Sequence, residues 1–404
     1  MNEENSEPTN SYLSNIPVEI LLHICSFLDA RTIICTLSLV CKRFHEIVSD
    51  ENIWRSRIAK KCRGSVYPAI PENADVNFRN ACIELEEEFD LWSHYETKTR
   101  SISLADVHYA AVDAVLLLKE GSLCVSGARD RSLVVWRLPP RDEEGPPSSA
   151  TKAAAHEGWI WQLVSPGEEA LYSASWDHTV KLWDLGPSLV NVSTFRVKCS
   201  VLSVACCAGG QVAAGTYTGH VHLFDPRAGC RETRVYRSHA GAALALAGLG
   251  HLVVSAGEDG TVAVFDQRAG RVHRRGIALG CPPGLETPVN AYPLSLSLSE
   301  HYLYVGDSKG YLHLINPSKG SFEFVKVFDV GHTNGLTGIH HGAGSLITSS
   351  VDGSVRMFAP TDAPKPVSVY SPNHGEFTSL SYQNKTLALA NTNCSIDVLQ
   401  QCSS

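Results

Sequence analysis

Leu171-Tyr-Ser-Ala-Ser-Trp-Asp177-His-Thr-Val-Lys-Leu-Trp183-Asp184 reads as two short strands joined by a tight turn. In Val180-Lys181-Leu182-Trp183 apolar and polar side chains alternate, the period of two expected of a half-buried strand. The phrase recurs. Clear copies occupy residues 123–136, 253–266 and 346–358, and weaker ones run from Thr218 to Asp225, Lys309 to Asn316 and Asn393 to Leu399. The closing anchors Trp136, Trp183, Phe224, Phe265, Ile315, Phe358 and Leu399 are 47, 41, 41, 50, 43 and 41 residues apart. A repeat of about 40–45 residues is that of propeller blades. One such sheet cannot bury both faces alone, so the copies must stack around an axis, and seven lies within the range of about four to eight blades that close a ring.

Asp259-Gly260 and Asp352-Gly353 carry hairpin-turn chemistry, with Gly supplying positive φ. The last copy ends at Leu399, which leaves its sheet without an outer strand. The alternating segment 95–104, upstream of the first copy, is predicted to supply that strand and clasp the ring shut, removing its open edges.

From about Trp92 to the C-terminus the chain resembles the WD-repeat family. The resemblance implies a hydrogen-bonded tetrad in each well-formed blade. Blade 2 carries the full set as His156, Ser173, Asp177 and Trp183, and blade 1 as His108, Ser126, Asp130 and Trp136. Blade 4 has His239, Ser255 and Asp259 with Phe265, and blade 6 has His332, Thr348 and Asp352 with Phe358. Blades 3 and 5 lack the turn Asp. A His–Ser–Asp set could pass for a catalytic triad, but its recurrence beside a Trp around the ring argues for a structural role.

Residues 14–60 follow a different rule. Pro17 opens a helix in its first turn, and Ile20, Ile24, Phe27 and Leu28 fall on one face of it. Asp29 can cap a short second helix, and a third runs through Leu39, Val40, Phe44, Ile47 and Val48, with Trp54 just beyond. Three helices in so short a segment give a marginal core that needs a neighbour. The strings Ile16-Pro17-Val18-Glu19-Ile20, Phe27-Leu28-Asp29, Leu37-Ser38-Leu39-Val40-Cys41-Lys42-Arg43-Phe44 and Trp54-Arg55 resemble an F-box, with Ile16 where Leu is more usual. That resemblance implies docking on the Skp adaptor, and through it on a cullin–RING ligase, by Ile16, Pro17, Ile20, Ile24, Leu28, Val40 and Cys41.

The expected architecture is therefore a small all-α F-box domain plus an all-β seven-bladed WD-repeat β-propeller. Its parts are a disordered N-terminus (1–13), the F-box (14–60), a helical linker (61–93) and the propeller (94–404). In the linker Phe78, Cys82, Leu85, Phe89 and Trp92 recur at helical steps, with Glu84, Glu86, Glu87 and Glu88 on an expected solvated face. Residues 137–150, rich in Pro and Gly, read as a flexible insert.

A net charge of −8 gives no overall pull towards nucleic acid or anionic membrane, and no apolar run reaches the length of a membrane span. The start Met1-Asn-Glu-Glu-Asn-Ser-Glu7 is neither a signal nor a transit peptide. Thirteen scattered cysteines without a C-x-x-C pair suggest reduced thiols in the cytoplasm or nucleus, and no metal or cofactor is expected. Function must come from a site. On a propeller's top face each blade offers the residue before the turn Asp and one before the first strand. Those positions put Arg129, Trp159, Trp176, Tyr217 and Phe377 at a protein-substrate site with more aromatic than phosphate-binding character. Two arginine clusters, Arg227, Arg231, Arg234 and Arg237, then Arg268, Arg271, Arg274 and Arg275, are expected on the outer strands of adjacent blades. The resemblance implies a non-catalytic substrate receptor of a ubiquitin ligase, marking an unidentified client for proteasomal degradation. The alternative is a WD-repeat scaffold acting independently of ubiquitination.

Overall fold

The computed structural model describes residues 16–70, 76–143, 145–186, 189–280, 290–372 and 375–402, so the expected disordered stretch 1–13 lies outside it. Seven four-stranded antiparallel sheets succeed one another along the chain. Their first, innermost strands are Val112–Leu118, Ile160–Gly167, Val201–Cys206, Ala243–Leu249, Pro293–Leu298, Leu336–His341 and Phe377–Gln383. The second strands are buried almost throughout, as in Leu123–Ala128 and Thr386–Asn391, because sheets pack on both of their faces. Gly260 and Gly353 take φ of 76° and 74° in their hairpin turns, the left-handed conformation for which their sequence selects them.

The ring closes by strand exchange. Thr99–Leu104 is the outer strand of blade 7, with Thr99 opposite Gln401 and Leu104 opposite Ile396. The clasp is shorter than expected, since Tyr95–Lys98 continues as a helical turn. The 137–150 segment is not a loose insert. Ser148–Lys152 forms the outer strand of blade 1, and the Arg100 guanidinium, on the clasp, binds the carbonyls of Pro139, Pro140 and Glu143 at 2.6–2.7 Å.

At the N-terminal end, α1 (Val18–Cys25), α2 (Ala30–Cys35), α3 (Lys42–Val48) and α4 (Glu51–Lys61) form a small module. Asp29 caps α2 through the Thr32 amide at 2.7 Å. The expected third helix is broken, because Cys41 adopts an extended conformation after a short 3-10 turn and caps α3. Trp54 sits inside α4 rather than beyond the helices, buried, with its indole N–H on the Val48 carbonyl at 2.8 Å. Leu21, Cys25, Ile33, Phe44, Val48, Trp54 and Ile58 share one core with Phe78, Cys82 and Leu85 of α5 (Phe78–Ser93). The marginal core is completed by its neighbour.

Of the glutamates on α5 only Glu84 is exposed; the other three carboxylates are half-buried and engaged. Glu86 accepts from Arg57 at 2.6 and 3.0 Å and from the Ala30 amide at 2.8 Å. Glu87 pairs with Arg31 on α2 and with Lys385 of blade 7, and Glu88 accepts from Trp92 and Tyr382 at 2.7 and 2.5 Å. Burial raises the Glu88 carboxyl above its usual range despite those two donors. Leu91 and Trp92 enter a core with Ile347, Met357, Leu387 and Leu399 of blades 6 and 7. The α5 helix therefore fastens the helical module onto the hairpins that join first to second strands.

Two histidines lie at that junction. The ring of His340 is 4.7 Å from Tyr382, and that of His341 is 4.8 and 5.0 Å from Tyr302 and Tyr304. Burial pushes both imidazoles down to about 4 from the ordinary 6.5. Between those values the unfolded chain binds protons that the folded chain refuses, so stability falls as pH is lowered through that window. Melting temperature should be flat above pH 7 and drop steadily from pH 6.5 to 4.5. A constant melting temperature across that range would contradict the placement of the two rings.

Candidate functional site

In blade 2 the Trp183 indole N–H donates to Ser173 Oγ at 2.8 Å, and Ser173 Oγ lies 2.6 Å from His156 Nε2. On the far side His156 Nδ1 meets Asp177 at 2.8 Å, and Asp177 also accepts from Thr179 and from the Glu157 amide. Burial pushes the Asp177 carboxyl up, but these hydrogen bonds outweigh it and hold it well below the usual carboxylate range. Burial lowers His156. Its Nδ1–H faces the carboxylate, which leaves Nε2 to accept from Ser173. The set has the spacing of a nucleophilic triad, yet Ser173 is 0% exposed and its Oγ already accepts the indole N–H, so no acyl group can reach it. Blade 1 repeats the chain through His108, Ser126, Asp130 and Trp136. In blades 4 and 6 His239 and His332 bridge Asp259 to Ser255 and Asp352 to Thr348, without an indole. Blade 5 rebuilds the pair from other positions, with buried Asp307 2.9 Å from His313 Nε2. That Asp stands two residues ahead of the expected turn position, which is why the repeat frame missed it.

These networks hold the top-face turns in place. In each blade the residue before the turn donates its N–H to the carbonyl before the first strand: Arg129 to Ala111, Trp176 to Trp159, Tyr217 to Ser200, Glu258 to Ala242, Ser308 to Tyr292, Val351 to Gly335 and Thr392 to Glu376. Blade 7 thus places Glu376, not Phe377, at the exposed position. Phe377 is one residue further along the strand, and one step in a strand turns the side chain to the other face. It is 1% exposed, packed with Met357 and Leu389. Phe377 therefore leaves the candidate surface.

The other four expected residues come together. Trp159, Trp176 and Tyr217 are exposed, with centroids 6.1 Å apart for Trp159–Trp176 and 5.8 Å for Trp176–Tyr217. Trp161 joins them at 6.0 Å from Trp176. Sequence reasoning passed over Trp161, although the i, i+2 spacing from Trp159 on one strand carried the signal. The Arg129 guanidinium lies 5.0 Å from the Trp159 centroid and is paired with Asp113 at 2.9 and 3.1 Å. Its charge is neutralised and its fork is occupied. Beside it the mouth of the ring encloses about 380 Å³, lined by Asp113, Trp161, Gln162, Glu376 and Thr392 among others.

On the helical module Ile20, Ile24 and Val40 are exposed, as is Pro17, while Ile16, Leu28 and Cys41 are half-buried against the module's own core. The largest exposed side chains there are Phe27 at 78% and Leu39 at 79%, neither among the expected contacts. An open groove of about 1070 Å³ runs alongside, lined by Phe27, Ile53 and Ile83 with Arg31, Lys60 and Lys61. The two arginine clusters lie on or beside the outer strands Glu232–Arg237 and Arg271–Ala278, and Arg234 reaches the Gly270 carbonyl across the blade boundary. Among the described residues no cluster of three metal-ligating side chains is present, and no helix is long and apolar enough to cross a membrane.

The F-box-like family profile matches residues 13–59, and that of the WD domain, G-beta repeat, matches 149–184 and 322–358. The chain is 34% identical to F-box/WD repeat-containing protein 9 of Bos taurus over 96% of this chain and 82% of that one. To its counterpart in Homo sapiens it is 35% identical over 88% and 75%. With F-box/WD repeat-containing protein mec-15 of Caenorhabditis elegans it shares 26% over 86% and 84%. Among solved structures, the WD40 beta propeller domain of Doa1 superposes with a TM-score of 0.62 over 76% of this chain and 97% of that one, a likeness of fold at 14% identity.

Proposed function

The chain belongs to the F-box/WD repeat-containing family, and from that premise we propose that it is the substrate-recognition subunit of a Skp–cullin–F-box ubiquitin ligase. One observation carries the reading. Two exposed apolar surfaces sit at opposite ends of the molecule, joined by the packing of α5 on blades 6 and 7. The helical module and α5 grip hairpins joining first to second strands, whereas Trp176 and Tyr217 sit on turns joining second to third strands, with Trp159 and Trp161 beside them at the entry to a first strand. In antiparallel blades those connections lie at opposite ends of the ring.

In this reading Pro17, Ile20, Ile24, Phe27, Leu39 and Val40 bury against the Skp adaptor, with Ile16, Leu28 and Cys41 shaping the surface from beneath. A solvent-facing Phe and Leu on so small a module are costly unless a partner covers them. At the other end Trp159, Trp161, Trp176 and Tyr217 hold a protein client. The chain performs no chemistry itself. Binding energy at the top face keeps a client lysine near the charged transferase, and a rigid connector turns that into a high effective concentration.

The combined substitution Phe27→Asp and Leu39→Asp should reduce capture by the Skp adaptor at least about 100-fold, since hot-spot anchors of this size carry about 2–4 kcal/mol each. The combined Trp159→Ala and Trp176→Ala variant should keep adaptor capture and lose client ubiquitination in cells. Undiminished ubiquitination by that variant would sink the top-face assignment. Adaptor capture unaffected by the two aspartates would sink the ligase role and favour a scaffold independent of ubiquitination.

A further inference from the structure

We propose that the top face selects its client through an arginine side chain, stacked on the blade-4 side of Tyr217 and paired with Glu258. This rests on the top face being the client site, and it adds the chemistry that is read there. The aromatic residues form a ladder around the rim, not a cage. Arg129 of blade 1 lies on Trp159 at 5.0 Å and Trp161 at 5.9 Å. Those rings meet Trp176, and Trp176 meets Tyr217 of blade 3. Neighbouring centroids 5.8–6.1 Å apart leave no room for a ligand between rings; Trp176 meets Tyr217 edge-on at 62°, and Tyr217, the most exposed of the four, ends the series towards blade 4.

The first end of the ladder runs carboxylate, guanidinium, indole, as Asp113, Arg129 and Trp159. The other end has a ring and then a carboxylate. Tyr217 is 56% exposed, and the next blade places Glu258 at the equivalent turn position, also exposed. Glu258 reaches only the Ala242 amide, at 3.4 Å, and among the described residues no basic side chain pairs with it. Among the described residues no guanidinium completes the pattern at Glu258; the nearby Arg237 turns instead to the His239 and Ala240 carbonyls. A client arginine supplies it: planar for stacking, weakly hydrated, and forked to take both oxygens of Glu258. Glu157 and Glu376, exposed on the same face, disfavour a phosphorylated segment.

The test is fluorescence anisotropy of the full-length chain with acetylated nonapeptide pools. One position is fixed as arginine, citrulline, lysine, leucine, aspartate or phosphoserine, and the others are randomised. Arginine pools should bind about ten-fold more tightly than citrulline pools, which keep the shape and lose the charge. Glu258→Gln should remove most of that preference, and Tyr217→Ala should weaken binding of the arginine pools. Both positions are exposed, and an unchanged melting temperature will show that each variant is folded. Strongest binding by leucine, aspartate or phosphoserine pools overturns the proposal, as does an arginine preference that survives Glu258→Gln. If that losing pattern still depends on Trp176, the top face stands as the client site. If no pool binds and Trp159→Ala with Trp176→Ala leaves client ubiquitination intact, the top-face reading fails as well.

Discussion

Replacing Thr99–Leu104 with a Gly/Ser linker of equal length should open the propeller. Six residues of this strand pair with Ile396–Gln401, and Leu104 is buried with Val112, Trp136, Ala388 and Ile396. Losing about 1 kcal/mol per hydrogen bond and about 2–3 kcal/mol for Leu104 costs in total about 5–8 kcal/mol. Whole domains are stable by only about 5–15 kcal/mol. Arg100 goes too, and with it the ties to Pro139, Pro140 and Glu143 and to Gln400 at 2.6 Å. The strand Ile396–Gln401 becomes a bare edge that other chains can pair with. The variant should melt at least about 10 °C lower, elute as oligomers in a concentration-dependent way, and exchange within seconds the alternate amides of residues 396–401 that face the lost strand, while those paired with Thr386–Asn391 stay protected. Slow exchange of the freed amides would mean that the ring is held shut by something else.

Arg57→Ala should be the most damaging single substitution in the helical module. The Arg57 and Glu86 side chains are only 20% and 15% exposed. The guanidinium fork donates to both Glu86 oxygens and to the carbonyls of Cys25 at 2.8 Å and Leu28 at 2.5 Å, tying α4 to the end of α1 and to α5. Removing it strands a buried carboxylate and two carbonyls, a loss of about 3–5 kcal/mol. Most of a small module's stability would go, while the blades keep their cores. The expected result is a new low-temperature unfolding transition with rapid proteolysis in residues 16–61, beside an unchanged propeller transition. Lysine at this position should rescue little, because a single ammonium cannot serve four acceptors in a plane. A single cooperative melt at the wild-type temperature would show that the contact carries no weight.

The number of blades and their order were legible because each blade repeats one local problem. A turn Asp, a strand Ser or Thr and a closing aromatic recur at a spacing set by four short strands, and the residues that solve the problem lie within one repeat. The closing strand was legible for the same reason: Leu399 left a blade one strand short, and an unassigned alternating segment lay upstream. Where the frame slipped, the errors were of one residue or one face. Phe377 was placed on the surface because nothing in a single strand says where its first residue begins, and the hydrogen bond from Thr392 to Glu376 settles it. In α1 the stripe Ile20, Ile24 and Phe27 was plain, but the helix is apolar on more than one side. Burial of Leu21 and Cys25 decides that the stripe faces outward.

A seven-fold β-ring, its clasp, its buried tetrads and a small helical head, expected as three helices, are written in the chain's own periodicity. All of these follow from periodicity and from hydrogen-bonding needs met within a few dozen residues. Folding alone reveals what Glu86, Glu87 and Glu88 on α5 are for, that Arg129 is already paired, and that four rings from two blades form one ladder. Those facts depend on side chains brought together from distant parts of the chain. A carboxylate facing water and one facing Arg57 look alike in sequence, and only the packing tells them apart.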